Sequence, residues 1–192
     1  AERHGGKVEK DPEFFDVCVV GHLREVKDPM CTAVASRSLP PESRVRVLHA
    51  GGILDERYLE QVREEEAENP RYRFLGELNA VETSRLLASS DLMALTSFSE
   101  GGARVVGEAC VNGTPVLSSR IDGVLGLLGD DYPGYYEPGN PGELMRLLER
   151  AEKDSGFFAR LQAGVDAAAP CFAPACERDA WRLLLQELSS TN

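Results

Sequence analysis

Two glutamates, Glu100 and Glu108, stand with seven residues between them in the run Ser97-Phe98-Ser99-Glu100-Gly101-Gly102-Ala103-Arg104-Val105-Val106-Gly107-Glu108-Ala109. Gly101 and Gly102 let the backbone approach a ligand closely, because neither carries a side chain. If a helix opens at Ala103, its unsatisfied N–H groups favour an anion such as a phosphate. An ionised carboxylate accepts hydrogen bonds through two oxygens. Glu100, in the turn, therefore suits the hydroxyls of a sugar, and Glu108, within the helix, suits the vicinal hydroxyls of a ribose. Taken one at a time, these residues are an ordinary glycine turn and a solvated helix glutamate. Placed together between a strand and a helix, they favour a ligand site.

The rest of the chain supplies that strand and helix. Short apolar runs alternate with longer amphipathic ones, the pattern of βα units around a parallel sheet. Strands are expected at 15–20, 44–50, 72–75, 91–96 and 115–118, with a short sixth near 135–136. Val17-Cys18-Val19-Val20 and Leu92-Met93-Ala94-Leu95 are continuously apolar, as strands covered on both faces must be. Helices are expected at 29–39, 56–68, 80–89, 103–112 and 142–153, then at 157–169 and 176–188. Asn79 and Asn140 suit N-caps, and Gly113 suits a C-terminal stop. In the second helix Tyr58, Leu59 and Val62 can face the sheet, while Glu64, Glu65, Glu66 and Glu68 read as a solvated face. Glu100 then lies at the carboxyl edge of a parallel sheet, where open α/β folds bind ligands.

Composition sets outer limits. A chain of 192 residues, 42% hydrophobic and 28% charged, has the make-up of one globular domain. Its net charge of −11 argues against a nucleic-acid backbone as partner, though a local basic cluster can still hold a small phosphorylated molecule. No apolar run approaches the ~20 residues of a membrane span, so no transmembrane segment and a cytoplasmic location are expected. Residues 1–13 read as a linker or cloning remnant and 14–192 as the domain. Cys18 and Cys110 lie in apolar runs and read as buried hydrophobes; Cys171 and Cys176 lack a partner pattern, and reduced thiols are expected. His4 falls in the linker, and His49 reads as structural. Trp181 with Leu184, Leu185 and Leu188 reads as the stripe of a last amphipathic helix that packs on a neighbour.

The Glu-x7-Glu run resembles the motif of the retaining family-4 glycosyltransferases, known as glycosyl transferases group 1, whose fold is GT-B. Phe74-Leu75-Gly76, Ser89-Ser90-Asp91-Leu92, Gly113-Thr114-Pro115-Val116-Leu117 and Glu137-Pro138-Gly139-Asn140 resemble further family blocks in the same order, so the similarity covers roughly residues 16–152. The resemblance implies a Rossmann-like α/β domain, the C-terminal half of a GT-B enzyme, with Glu100 on the donor sugar and Glu108 on the ribose. The loop Gly21-His22-Leu23-Arg24-Glu25-Val26-Lys27-Asp28 is similar to the family's Gly-Arg-Leu-x3-Lys, whose Arg and Lys bind the donor diphosphate. Lys27 matches the Lys. His22 stands in place of the Arg, and either Arg24 or a protonated His22 is the substitute, unless His22 is simply a structural loop histidine. Gly101, Gly102 and Ala103 complete the implied donor site, and Asp122 and Gly123 lie near the implied sugar position. Gly129-Asp130-Asp131 reads as a turn rather than a metal site. The resemblance implies no resident cofactor or metal, only a nucleoside-diphosphate sugar as donor.

Two longer runs, 19–29 and 121–135, resemble the selenosugar synthase branch, which implies a UDP-sugar donor and selenophosphate as acceptor. The resemblance further implies that the acceptor is held by a separate N-terminal domain, and that this chain alone is inactive. The competing reading is a non-catalytic nucleotide-binding module of the same fold. A dehydrogenase fits poorly, since Gly21 is followed by His22, Leu23 and Arg24 rather than by Gly-x-Gly-x-x-Gly.

Overall fold

The structure, a computed structural model, describes residues 10–172 together with Trp181, Arg182 and Gln186. Six strands, β1 (Phe15–Val20), β2 (Val45–Ala50), β3 (Tyr72–Gly76), β4 (Leu92–Leu95), β5 (Val116–Ser119) and β6 (Tyr135–Tyr136), form one parallel sheet in the order β3-β2-β1-β4-β5-β6. The helices are α1 (Cys31–Arg37), α2 (Arg57–Glu68), α3 (Ala80–Ser89), α4 (Arg104–Asn112), α5 (Asp122–Leu128), α6 (Pro141–Lys153) and α7 (Ser155–Ala168). β4 and β5 are buried at every residue, and β1 at all but Val20, because helices cover both faces of the sheet. The expected α/β architecture and all six strands are present.

The chain runs outward from β1 through β2 to β3, then crosses back to place β4 on the other flank of β1. β1 and β2 pair along their whole length, from Phe15 with Val45 to Val20 with Ala50. β1 and β4 pair only at Val17 with Leu92 and Cys18 with Met93. Beyond that short seam the connections leaving β1 and β4 diverge, and such a switch point opens a crevice at the carboxyl edge.

Side chains at the helix ends explain several boundaries. Asn79 accepts from the amides of Val81 and Glu82, each at 3.0 Å, and Glu82 returns a bond to the Asn79 amide at 2.9 Å. This reciprocal box satisfies donors that the first turn of α3 cannot. Asn140 caps α6 through the Glu143 amide at 3.0 Å, with Pro141 at the first helical position. Gly113 ends α4 in the left-handed conformation at φ 71°.

Three features depart from expectation. A helix, α5, follows Ser119-Arg120-Ile121, where Gly123 and Gly126 weaken the helical signal. A short 3-10 turn, Glu25–Lys27, carries the first βα loop. Glu65 does not belong to a solvated face: it is 1% exposed and lies one turn beyond Val62, on the stripe that α2 buries. Its burial is compensated by Arg37, which donates through Nε to both carboxylate oxygens at 3.0 and 3.1 Å, and by Asn69 at 2.7 Å.

Cys18, Cys31 and Cys110 are buried and Cys171 is exposed, all four as free thiols; Cys176 and His4 lie outside the described residues. Burial pushes the Cys18 thiol up to about 12, consistent with a small hydrophobe. Of the expected last helix, Trp181, Arg182 and Gln186 are helical and exposed, while Leu184, Leu185 and Leu188 lie outside the described residues. Among the described residues no helix is long and apolar enough to cross a membrane.

Candidate active site

A cleft of about 340 Å³ lies at the carboxyl edge, lined at the strand ends by Val20, Gly21, Ala50, Gly51, Glu77 and Leu78. It gathers His22 and Lys27 from the loop after β1, and Glu100, Gly102, Ala103 and Glu108 from the segment after β4. Six of the eight residues singled out in the sequence thus share one cavity. Arg24 and Gly101 do not: both are exposed and neither lines the cleft. Of the two substitutes for the missing arginine, only His22 reaches this space.

Lys27 is presented by local backbone. The 3-10 turn ends at Asp28 with φ 42°, a left-handed conformation uncommon outside glycine, asparagine and aspartate. The Lys27 carbonyl accepts from the Thr96 hydroxyl at 2.7 Å, and Val26 accepts from the Phe98 amide at 2.9 Å. These bonds tie the first loop to the end of β4, and the Lys27 ammonium donates to Glu100 Oε1. Ser97 donates to the same oxygen at 2.6 Å. Oε2 of Glu100 has no protein donor among the described residues, and Lys27 uses one of its three N–H donors. The pair is well shielded, with side chains 16% and 13% exposed.

Gly123 completes the Glu100 loop from behind. A Cβ at that position would lie 2.3 Å from the Glu100 carbonyl oxygen, so only glycine lets the start of α5 approach so closely. Asp122, the first residue of α5, is exposed. Glu108 sits on α4, its carboxylate held by the Arg104 guanidinium at 2.9 Å. Arg104 is 87% exposed at its side chain and also lines the cleft.

His22 is oriented by backbone. The Gly52 amide donates to Nδ1 at 2.9 Å, so that nitrogen carries no proton and Nε2–H remains as a donor. A protonated His22, one of the alternatives open in the sequence, would forfeit the Gly52 bond. Gly51 is equally constrained, since a Cβ there would lie 2.0 Å from the Gly21 carbonyl oxygen. That carbonyl also accepts from His49 Nε2 at 3.1 Å, while Nδ1 of His49 accepts from the Tyr72 hydroxyl at 2.9 Å. His49 is therefore structural, as expected, and burial pushes its pKa down to about 4.

Three polar side chains of the cleft, Glu77, Thr83 and Arg104, had no role assigned from the sequence. A signal for Glu77 was present, because a polar residue following a strand in a parallel sheet falls on the carboxyl edge. Arg104 lay within the motif but carried no assigned role. Among the described residues no cluster of His, Cys, Asp and Glu could hold a metal ion, and Asp130 and Asp131 form a turn before Tyr132.

Known proteins share this fold. The chain superposes on Anabaena HepE, solved in complex with UDP-glucose, with a TM-score of 0.75 and 25% identity, covering 88% of this chain and 48% of HepE. Sucrose-phosphate synthase from Thermosynechococcus elongatus shares the fold, with a TM-score of 0.76 at 19% identity over 91% of this chain and 46% of that one. The six-stranded parallel sheet with flanking helices is thus that of GT-B glycosyltransferases. In sequence, D-inositol 3-phosphate glycosyltransferase of Mycobacterium sp. strain KMS is 31% identical over 135 residues, 64% of this chain and 30% of the relative. The corresponding protein of Nocardioides sp. is 29% identical over 105 residues, 54% of this chain and 23% of the relative. The chain spans less than a third of these curated relatives and about half of the solved ones. The model of the family glycosyl transferases group 1 matches residues 2–165, and the chain belongs to that family.

Proposed function

We propose that this chain is the donor-binding, C-terminal half of a retaining family-4 glycosyltransferase. It binds a nucleoside-diphosphate sugar at the strand carboxyl ends, and the acceptor enters from an N-terminal domain across an interdomain cleft. The observation that carries the reading is the convergence of Lys27, His22, Glu100 and Glu108 on one cavity at the sheet's switch point. The likeness to HepE, a protein solved with UDP-glucose, supports a UDP-sugar as donor.

Each group has spare capacity suited to its task. Lys27 keeps one N–H on Glu100 and has two for the diphosphate. His22 offers Nε2–H to a phosphate oxygen without needing to be charged. The first-turn amides of α4, opening beside Gly102 and Ala103, add donors of the same sense. Together they stabilise charge that grows on the diphosphate as the glycosidic bond breaks. Glu100 turns its unused Oε2 to a hydroxyl of the donor sugar, and Glu108 holds the ribose. Transfer proceeds by displacement on the front face, with retention, and this chemistry calls for no resident cofactor. In the selenosugar synthase branch that residues 19–29 and 121–135 resemble, the acceptor would be selenophosphate.

The paired glutamates test the assignment. Hydrogen bonds to charged groups contribute ~1.5–3 kcal/mol, so Glu108→Gln should weaken UDP binding about tenfold or more in calorimetry. Glu100→Gln should leave UDP affinity nearly unchanged and cut sugar transfer by the complete enzyme. The proposal fails if neither change affects binding or transfer. A complete gene product that binds UDP-sugars but transfers none would instead favour a non-catalytic module.

A further inference from the structure

Helix α4 brings Glu108 and Arg104 to the cleft, so its seating on its neighbours sets where they stand. Ala103 caps it without a side-chain hydrogen bond, and Gly107 near its middle lowers helix stability relative to alanine. What Gly107 permits is a close contact. A Cβ at residue 107 would lie 2.7 Å from Cδ1, 2.8 Å from Cε1 and 3.3 Å from Cγ of Phe172. The aromatic ring therefore rests on bare helix backbone. Phe172 ends the 3-10 turn Ala169–Phe172 that follows α7, and its ring packs against the hydrophobic core. Cys110, one turn beyond Gly107 on the same face, is buried, whereas Glu108 occupies the adjoining face that lines the cleft.

We propose that Phe172, seated on Gly107, is a positioning residue for donor binding, setting the height and roll of α4 and through it the place of Glu108. The proposal rests on the ribose-binding reading of Glu108. It goes further by making residues 169–172, none of which lines the cleft, part of the binding machinery.

The test is UDP affinity, measured by calorimetry at a temperature where circular dichroism shows every variant fully folded. A purely structural contact would move the melting temperature and leave that affinity alone. Gly107→Ala inserts a methyl group where the ring lies, and close-packed interiors yield poorly to added bulk. It should weaken UDP binding about tenfold, or about 1.4 kcal/mol. Phe172→Ala should weaken binding comparably, and Phe172→Leu should recover most of the loss. The double variant should bind no more weakly than Phe172→Ala alone, because removing the ring vacates the space that the methyl needs.

Wild-type affinity in Gly107→Ala would overturn the proposal, since it would mean that the ring swings aside without moving the helix. Losses that multiply in the double variant would overturn it too. If Phe172→Ala does not fold, Phe172→Leu and Gly107→Ala carry the test. Glu108→Gln separates the two failures. If it weakens UDP binding while Gly107→Ala does not, the positioning role alone falls. If Glu108→Gln has no effect, the ribose reading falls first.

Discussion

Arg37 and Glu65, joining α1 to α2, and Lys27 and Glu100, at the sheet's carboxyl edge, are both cation–glutamate pairs between distant parts of the chain. The first is saturated. Arg37 spans both carboxylate oxygens, and Asn69 adds a third donor while bonding the Ser36 hydroxyl at 3.0 Å. Burial pushes the Glu65 pKa up, but the hydrogen bonds from Arg37 and Asn69 outweigh it and hold the carboxyl below its ordinary value. The second pair is under-used: one oxygen of Glu100 is idle, and an ammonium makes a point contact that can be shared. A buried carboxylate with both oxygens committed is a fixture. One with capacity left over, in a cavity, is equipped for a ligand.

The largest effect expected from this contrast is on stability. Arg37→Ala strands the buried Glu65 carboxylate, and breaking a buried pair in this way costs up to several kcal/mol. Because the Arg37 side chain is itself 48% exposed, about 2–3 kcal/mol is the reasonable figure, read by urea denaturation, with UDP affinity unchanged. Equal loss of UDP binding would erase the distinction between the two pairs. Next comes Lys27→Ala, which should weaken UDP binding about tenfold at low salt and less at high salt. Calorimetry showing the same affinity as wild type at both ionic strengths would move Lys27 to the fixtures.

The smallest effect concerns His49, a fixture directly beneath the cleft. Its folded pKa of about 4 lies below the ordinary 6.5, so between those values the unfolded chain binds the extra proton. The His49 contribution is therefore complete above the ordinary value and is lost as pH falls toward the folded one. From pH 6.5 to roughly pH 5.5 the cost is about 1 kcal/mol. His49→Gln should show a shallower decline over that window in denaturation measured at each pH.

The same contrast marks what could be read from sequence. The continuous apolar runs gave β1 and β4 their places, because a doubly covered strand admits few polar residues. Lys27 was marked only by its resemblance to the family's loop, whereas the place of Glu100 and Glu108 at the sheet edge was legible because a strand, a glycine turn and a helix imply such an edge whatever surrounds them. Glu65 was not: within an acidic run nothing but its spacing from Val62 marks it as inward-facing, and its partner Arg37 lies on another helix. Nor was the orientation of the His22 ring, whose Nδ1 is engaged by the amide of Gly52, 30 residues away. α5 was hidden by Gly123 and Gly126, although Gly123 is required where α5 meets the Glu100 loop. Tertiary partners decide these cases, and local pattern carries no record of them.

The narrow β1–β4 seam bears on how the molecule assembles. Lys27 and Glu100 are 73 residues apart, with β2, β3 and the helices between them folding in the interval. Bringing such distant segments together has an entropic cost that local contacts do not offset, and non-local pairing forms slowly. A half-finished chain holding only β1, β2 and β3 would present His22 and Lys27 with no opposing wall. The cleft thus cannot exist until β4 has paired with β1. A nucleotide that needs both walls recognises only the finished fold, and by mass action draws the chain toward it.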